Sequence, residues 1–168
     1  MTTATTNEMV EDAFDAHAFS ADFRKGFETL PASRRFTPEQ LEVIYGMAYA
    51  HAQQRQWDKA LPIFAFLSQY GPTRRHYLAG LAQCMRELGR HEDAKNLYSL
   101  MLMLFPDHPE PLLYIAECQI AQGDRATAQT TLSELRDILA ESSPPHPLQA
   151  RVQALLARLG TNAPQAAA

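Results

Sequence analysis

Residues 41–74 read LEVIYGMAYAHAQQRQWDKALPIFAFLSQYGPTR, and residues 75–108 and 109–142 repeat the same pattern. One alanine recurs in these segments every 34 residues, as Ala60, Ala94 and Ala128. A large apolar residue follows each alanine by four positions, as Phe64, Tyr98 and Leu132. A 34-residue period of this kind is typical of the tetratricopeptide repeat (TPR), in which each unit is a pair of helices.

The repeat predicts an all-α fold in which residues 37–142 form three tandem TPR helix pairs, a right-handed α-solenoid. The three units are 41–74, 75–108 and 109–142. Thr37 and Gln40 have the spacing of a capping box, and Pro38 suits the first helical position, so the first helix begins there. The predicted helices are 38–53, 58–70, 75–88, 92–105, 109–121 and 125–140.

The two ends of the chain flank this array. Residues 1–36 form an acidic segment, since residues 1–30 hold six acids and two bases. Within it, a helix from Glu8 to Leu30 is expected to carry an apolar stripe of Phe19, Phe23 and Phe27. That stripe must be buried on the first repeat or on another subunit, so this segment is a candidate for dimerisation. Residues 143–160 predict a Pro-rich linker and a capping helix, and residues 161–168 a disordered tail.

Composition excludes several functional classes. The net charge of −4 comes from the N-terminal segment alone, and a balanced body is not typical of a nucleic-acid binder. No apolar run is long enough to span a bilayer and no secretory signal is visible, so we expect a cytoplasmic protein without stable membrane association. Cys84 and Cys118 occupy the same place in successive repeats, which favours two buried thiols in a reducing compartment over a disulfide or redox pair.

The sequence offers no catalytic constellation. Its six histidines show no metal-ligand spacing with one another or with the cysteines. Phosphate-binding loops, zinc-protease motifs and nucleophile elbows are not found in it either. We therefore expect no enzyme activity, no cofactor and no metal.

The first helix of each TPR unit lines the concave face of the superhelix, and this predicts the binding residues. They are Tyr45, Tyr49, Ala52, Ala79, Gln83, Leu113 and Glu117. Repeats that grip a chaperone's C-terminal carboxylate have lysine and asparagine where Tyr45 and Tyr49 stand, so a carboxylate clamp is not expected here. Tyrosines suit an extended peptide with apolar and proline anchors. Alternatively, both tyrosines pack on the N-terminal helix.

The motifs resemble those of the class II chaperones of bacterial type III secretion, the SycD/LcrH group. Residues 41–49 (LEVIYGMAY), followed by Trp57, Ala60 and Phe64, are similar to the family's first-repeat run. Residues 77–84 (YLAGLAQC) and 116–118 (AEC) are similar to its second-repeat and third-repeat elements. The resemblance covers about residues 20–140. One departure is Ala52, where the family often has a tyrosine, which predicts a shallower pocket.

This resemblance implies a non-enzymatic chaperone that holds an N-terminal segment of a hydrophobic translocator protein in its concave groove. Such segments often carry a P-x-L-x-x-P-like motif. The resemblance also implies a homodimer, for which Phe19, Phe23, Phe27, Phe66 and Tyr70 are the candidate residues. Some members co-activate a transcription regulator, and no residue here decides whether that partner applies. The alternative hypothesis is a TPR scaffold or assembly subunit of a secretion or pilus apparatus.

Overall fold

The computed structural model describes residues 15–141 and 144–161, apart from the side chains of residues 16, 32 and 33. Within these ranges all regular secondary structure is helical, which confirms the predicted all-α TPR fold. The α-helices are α1 (Ala16–Glu28), α2 (Pro38–Gln53), α3 (Trp57–Tyr70), α4 (Arg75–Glu87), α5 (His91–Leu104), α6 (Glu110–Ala121), α7 (Arg125–Ala140) and α8 (Gln149–Thr161). A short 3-10 helix, Pro31–Arg34, joins α1 to the linker before α2.

Local signals set where the repeat helices begin and turn. Thr37 and Gln40 form the predicted capping box at the start of α2, since the Gln40 N–H donates to Thr37 Oγ1 (3.3 Å) and the Thr37 N–H to Gln40 Oε1 (2.9 Å). Each helix pair then turns on a residue with positive φ, at Arg55 (57°), Gly89 (76°) and Gly123 (84°). These three residues are 34 apart, so the turn itself repeats. Only the first pair makes this turn with a non-glycine residue, where a Cβ opposes the left-handed conformation.

Each repeat helix packs on the next one in the chain, and the recurring small residues lie at the crossings. The alanines that allow this close approach are fully buried, namely Ala48, Ala60, Ala82, Ala94, Ala116 and Ala128. Cys84 and Cys118 are free thiols in the same core, as expected. Burial raises the pKa of Cys84 to about 11 and also raises that of Cys118, so both remain protonated at neutral pH.

The end of the array is covered by α8. Val152 is fully buried and Leu159 nearly so, and both pack into the cluster that holds Leu132 and Leu135 of α7. Gln149 adds a hydrogen bond from its Nε2 to the Leu139 carbonyl (2.7 Å). The helix therefore lies where a capping helix was predicted.

The N-terminal helix α1 packs on a part of the chain that was not predicted. Its described part begins at Ala16 with Asp15 as N-cap, and residues 1–14 lie outside the described residues. The helix packs on α5 of the second repeat, and the first repeat was only one of the two surfaces expected to bury its stripe. Arg24 fixes this position, because its Nη1 donates to the Leu104 carbonyl (2.7 Å) and its guanidinium lies 5.6 Å from the centre of the Phe105 ring.

The structure also changes the reading of Phe66 and Tyr70, which were candidates for dimerisation. Both side chains are half-buried around Phe36 of the same chain, with ring centroids 5.4 and 4.9 Å from that of Phe36. Their first role is therefore intramolecular, since they fasten the linker between α1 and α2 onto α3.

Candidate functional site

The first helices of the three units line one face of the molecule, where two pockets adjoin. The α2–α4 pocket, about 430 Å³, includes Tyr45, Tyr49, Ala52, Trp57 and Phe64. The α4–α6 pocket, about 370 Å³, includes Arg86, Tyr98, Glu110, Pro111 and Tyr114. Residues of α4 border both pockets, namely His76, Ala79 and Gln83. Together the two pockets form one groove, with α4 as a low ridge across its floor.

The tyrosines of α2 form the aromatic wall of the α2–α4 pocket. Tyr45 is half-buried, with its ring centroid 4.7 Å from that of His76 and 6.0 Å from that of Phe64. Tyr49 is 49% exposed and its ring centroid lies 5.9 Å from that of Tyr45. The structure thus places both rings at the pocket, while α1 packs on α5. Tyr45 is held by its neighbours, whereas Tyr49 presents a free ring face to the groove.

Gly80 sets the depth of the same pocket. A Cβ at this position would lie 2.2 Å from Cε1 of Phe64, closer than two carbon atoms can approach. The missing side chain lets α4 lie directly on the Phe64 ring, which forms part of the pocket wall. The depth of the pocket therefore depends on the absence of a side chain at Gly80.

The α4–α6 pocket combines aromatic rings with a cation. Tyr98 and Tyr114 lie with ring centroids 5.2 Å apart, and the Arg86 guanidinium is 5.0 Å from the centre of the Tyr114 ring. This distance permits a cation–π contact that holds both side chains in place. At the rim, Arg75 Nη1 lies 3.7 Å from Glu110 Oε2. The pocket thus offers flat apolar surface inside and charge at its edge.

A polar cluster joins the first two repeats at the rim of the α2–α4 pocket. The Tyr77 hydroxyl donates to Glu42 Oε1 (2.8 Å), and His76 Nε2 lies 3.2 Å from the same oxygen. Partial burial opposes the charge on Glu42, but the hydrogen bonds from Tyr77 and His76 outweigh it and lower the pKa of Glu42. Burial, and then the bond to Glu42, raise the pKa of Tyr77. Glu42 is therefore a carboxylate at neutral pH, and it orients the His76 ring that borders both pockets.

Two of the predicted groove residues are placed differently. Leu113 is fully buried in the cluster that contains Leu132 and Val152, so its prediction as a groove residue is wrong. The capping helix α8 adds to the core around Leu113, and Pro111 and Tyr114 form the α6 wall instead. Glu117 lies beyond the α4–α6 pocket, where its two oxygens accept hydrogen bonds from Arg86 (2.9 Å) and Arg151.

The remaining predicted residues meet in the groove, and several lining residues were not predicted. Tyr45, Tyr49, Ala52, Ala79 and Gln83 all line the α2–α4 pocket. The aromatic residues and proline among those not predicted are Trp57, Phe64, Tyr98, Pro111 and Tyr114. Phe64 and Tyr98 lie four positions after Ala60 and Ala94, so the repeat pattern predicted them as core residues. In the structure each side chain belongs to the core and also lines a pocket.

Among the described residues, no group of three or more His, Cys, Asp or Glu side chains is placed to hold a metal ion. In the same ranges, none of the helices is both long and apolar enough to cross a bilayer.

Several known proteins are similar to this chain. A family model described as tetratricopeptide repeat matches residues 85–159. The low calcium response locus protein H of Yersinia pestis is 24% identical over 134 residues, which cover 80% of each chain. PcrH of Pseudomonas aeruginosa, solved in complex with the chaperone binding region of PopD, superposes with a TM-score of 0.69 at 27% identity, covering 76% of this chain and 96% of PcrH.

The chain is similar to the class II chaperones of type III secretion, the group that includes the LcrH and SycD proteins. The resemblance of residues 41–49 and 116–118 to SycD/LcrH motifs is thereby confirmed. The translocator chaperone SycD of Yersinia enterocolitica, described in an alternative dimer, shares the fold with a TM-score of 0.69 at 21% identity, over 76% of this chain and 97% of SycD. These class II relatives share a TPR fold that extends over most of the described residues.

Proposed function

We propose that this chain is a cytoplasmic, non-enzymatic chaperone that holds an N-terminal segment of a hydrophobic translocator in the groove formed by the α2–α4 and α4–α6 pockets. Holding the segment keeps the translocator soluble and unassembled before secretion. One observation carries the proposal. The two pockets adjoin across α4 and both are lined by aromatic rings, as an extended peptide with apolar anchors requires.

The lining of the groove agrees with such a ligand. Successive side chains of an extended chain point to opposite sides, so every second residue can serve as an anchor in the groove. The small side chain of Ala79, between the pockets, leaves room for the peptide backbone to cross α4. PcrH, whose fold is similar, has been solved with the chaperone binding region of PopD, which supports the same use of the groove here.

Removing the aromatic wall tests this proposal. We expect Tyr45→Ala with Tyr49→Ala to weaken binding of a co-purified translocator, or of a peptide from its N-terminal region, by roughly 1–3 kcal/mol, because large buried rings dominate such interfaces. Isothermal titration calorimetry measures the affinity, and circular dichroism checks that the helices are intact. Val43→Ala with Met47→Ala is the matched control, since these residues of α2 are 72% and 58% exposed and line neither pocket.

Two results would count against the proposal. Unchanged affinity in the double tyrosine variant would mean that the rings have a structural role only. Co-fractionation of the chain with a large apparatus, with no soluble one-to-one complex, would favour the scaffold hypothesis instead.

We also propose that the chaperone forms a homodimer through the stripe on α1. Phe19 and Phe23 stack with ring centroids 5.7 Å apart, yet 43% and 36% of these side chains are exposed, and Phe27 continues the stripe. Exposed adjacent phenylalanines are unusual on a monomer surface. Sedimentation should show that Phe19→Ser with Phe23→Ser shifts dimer to monomer, whereas Ile138→Ser, at an equally exposed position of α7, should not. An unchanged sedimentation coefficient would place the interface elsewhere.

A further inference from the structure

The groove does not end at α6. A third pocket of about 610 Å³, the α6–α8 pocket, lies between α6 and the capping helix and begins at Arg86, which also borders the α4–α6 pocket. Arg151 of α8 follows Glu117 of α6 by 34 residues, one TPR period, and the two side chains pair. The capping helix therefore extends the concave face as the first helix of an incomplete fourth unit would.

The charges in this third pocket do not balance. Glu117 accepts hydrogen bonds from both Arg86 and Arg151, so its carboxylate is already neutralised. Arg86 also reaches Glu87 Oε1 at 3.0 Å. Arg158 lines the same pocket and forms no ion pair with any acid among the described residues. Three guanidinium groups thus face two carboxylates, which leaves one positive charge uncompensated.

The same pocket also has an apolar part. Ile120 and Leu155 are half-buried on the same surface. A ligand that combines a carboxylate with an aliphatic neighbour would match both kinds of surface.

We propose that the α6–α8 pocket binds an aspartate or glutamate side chain of the client, on the part of the segment that extends past the α4–α6 pocket. This inference rests on the proposed function, because the same extended segment must first occupy the groove. The acidic residue should lie beyond the anchor in the α4–α6 pocket, because Arg86 borders both pockets and an extended chain that leaves one enters the other beside it. The site would select among clients, since a segment without the acid would leave Arg158 unpaired.

Labelled peptides with amidated C-termini provide the test and exclude recognition of a terminal carboxylate. Each contains a P-x-L-x-x-P core, extended at one end or the other by a short linker and either glutamate or glutamine. Fluorescence anisotropy with the full chain measures the affinity. We expect the glutamate peptide to bind about threefold to tenfold more tightly than the glutamine peptide for one of the two directions, since Arg158 is exposed and its pairing is partly screened. The advantage should shrink as salt is added.

Variants then locate the effect. Arg158→Gln should abolish the preference for glutamate while binding the unextended core with wild-type affinity. Arg125→Gln is the matched control, because it removes the same charge from an exposed position of α7 outside the pocket. Equal affinity of the glutamate and glutamine peptides in both directions, or a preference that survives Arg158→Gln, overturns the inference and leaves the proposed function standing. If the unextended core does not bind at all, the proposed function fails and the inference fails with it.

Discussion

The first and second repeats have apolar or small residues at the same three positions of their first helices. Within the described residues, these positions are covered by a neighbouring helix in the second repeat and exposed in the first. Val43 and Met47 on α2 are 72% and 58% exposed, whereas their counterparts Tyr77 and Leu81 on α4 are 0% and 8% exposed. The third pair is Gly46, where a Cβ would meet open space, and Gly80, where it would collide with Phe64. The difference comes from the preceding helix, since α3 packs on α4 while α1 lies against α5.

This contrast shows that equivalent side chains in successive repeats point in the same direction. Whether they are buried depends on which helix lies in that direction. Tyr77 and Leu81 join the cluster around Phe64 and Leu67 of α3. The same face of α2 has no comparable cover from α1, so the first repeat has an open apolar edge. At the other end α8 closes the array and buries Val152. Among the described residues, the array is therefore closed at one end and has an exposed apolar edge on α2 at the other.

The largest expected effect comes from placing a charge at matched positions of the two repeats. Leu81→Asp should lower the free energy of unfolding by about 3 kcal/mol or more, because the carboxylate would be buried without a partner. Met47→Asp should change it by no more than about 0.5 kcal/mol, since water already reaches that site. Urea denaturation at low protein concentration gives both values without a contribution from association. Similar losses in both variants would mean that the first repeat is covered in solution.

A smaller effect is expected from adding one methyl group at the matched glycines. Gly80→Ala should destabilise the fold by roughly 1–3 kcal/mol, because Phe64 must move to admit the new Cβ. Gly46→Ala should stabilise it by up to about 1 kcal/mol, since alanine favours helix and nothing lies within 4 Å of the added carbon. Thermal unfolding compares the two variants. A stabilising Gly80→Ala would show that α3 and α4 can separate freely at this crossing.

These matched residues also show how far the sequence alone could lead. The 34-residue period predicted the helices from α2 to α7, and the phase of Tyr45, Ala79 and Gln83 placed them in the groove. The sequence did not predict that α1 would cross to α5, because its contacts there depend on Arg24 reaching a backbone carbonyl 80 residues away. The prediction of Leu113 as a groove residue was wrong for a related reason. Helix α8, which lies outside the three repeats, adds to the core around this side chain.

The last and smallest effect concerns Tyr77, the buried counterpart of exposed Val43. Tyr77→Phe should cost about 1 kcal/mol at neutral pH, because it removes the hydrogen bond to Glu42 across the two repeats. The pKa of Glu42 is lowered from 4.5 in the folded state, so this stabilisation is present above the ordinary pKa and is lost as pH falls through the lowered value. The difference in unfolding free energy between wild type and variant should therefore shrink on acidification. In a Glu42→Gln background, Tyr77→Phe should cost the same throughout this range. A cost in the native background that does not vary with pH would show that the Glu42 carboxylate is not the group that Tyr77 stabilises.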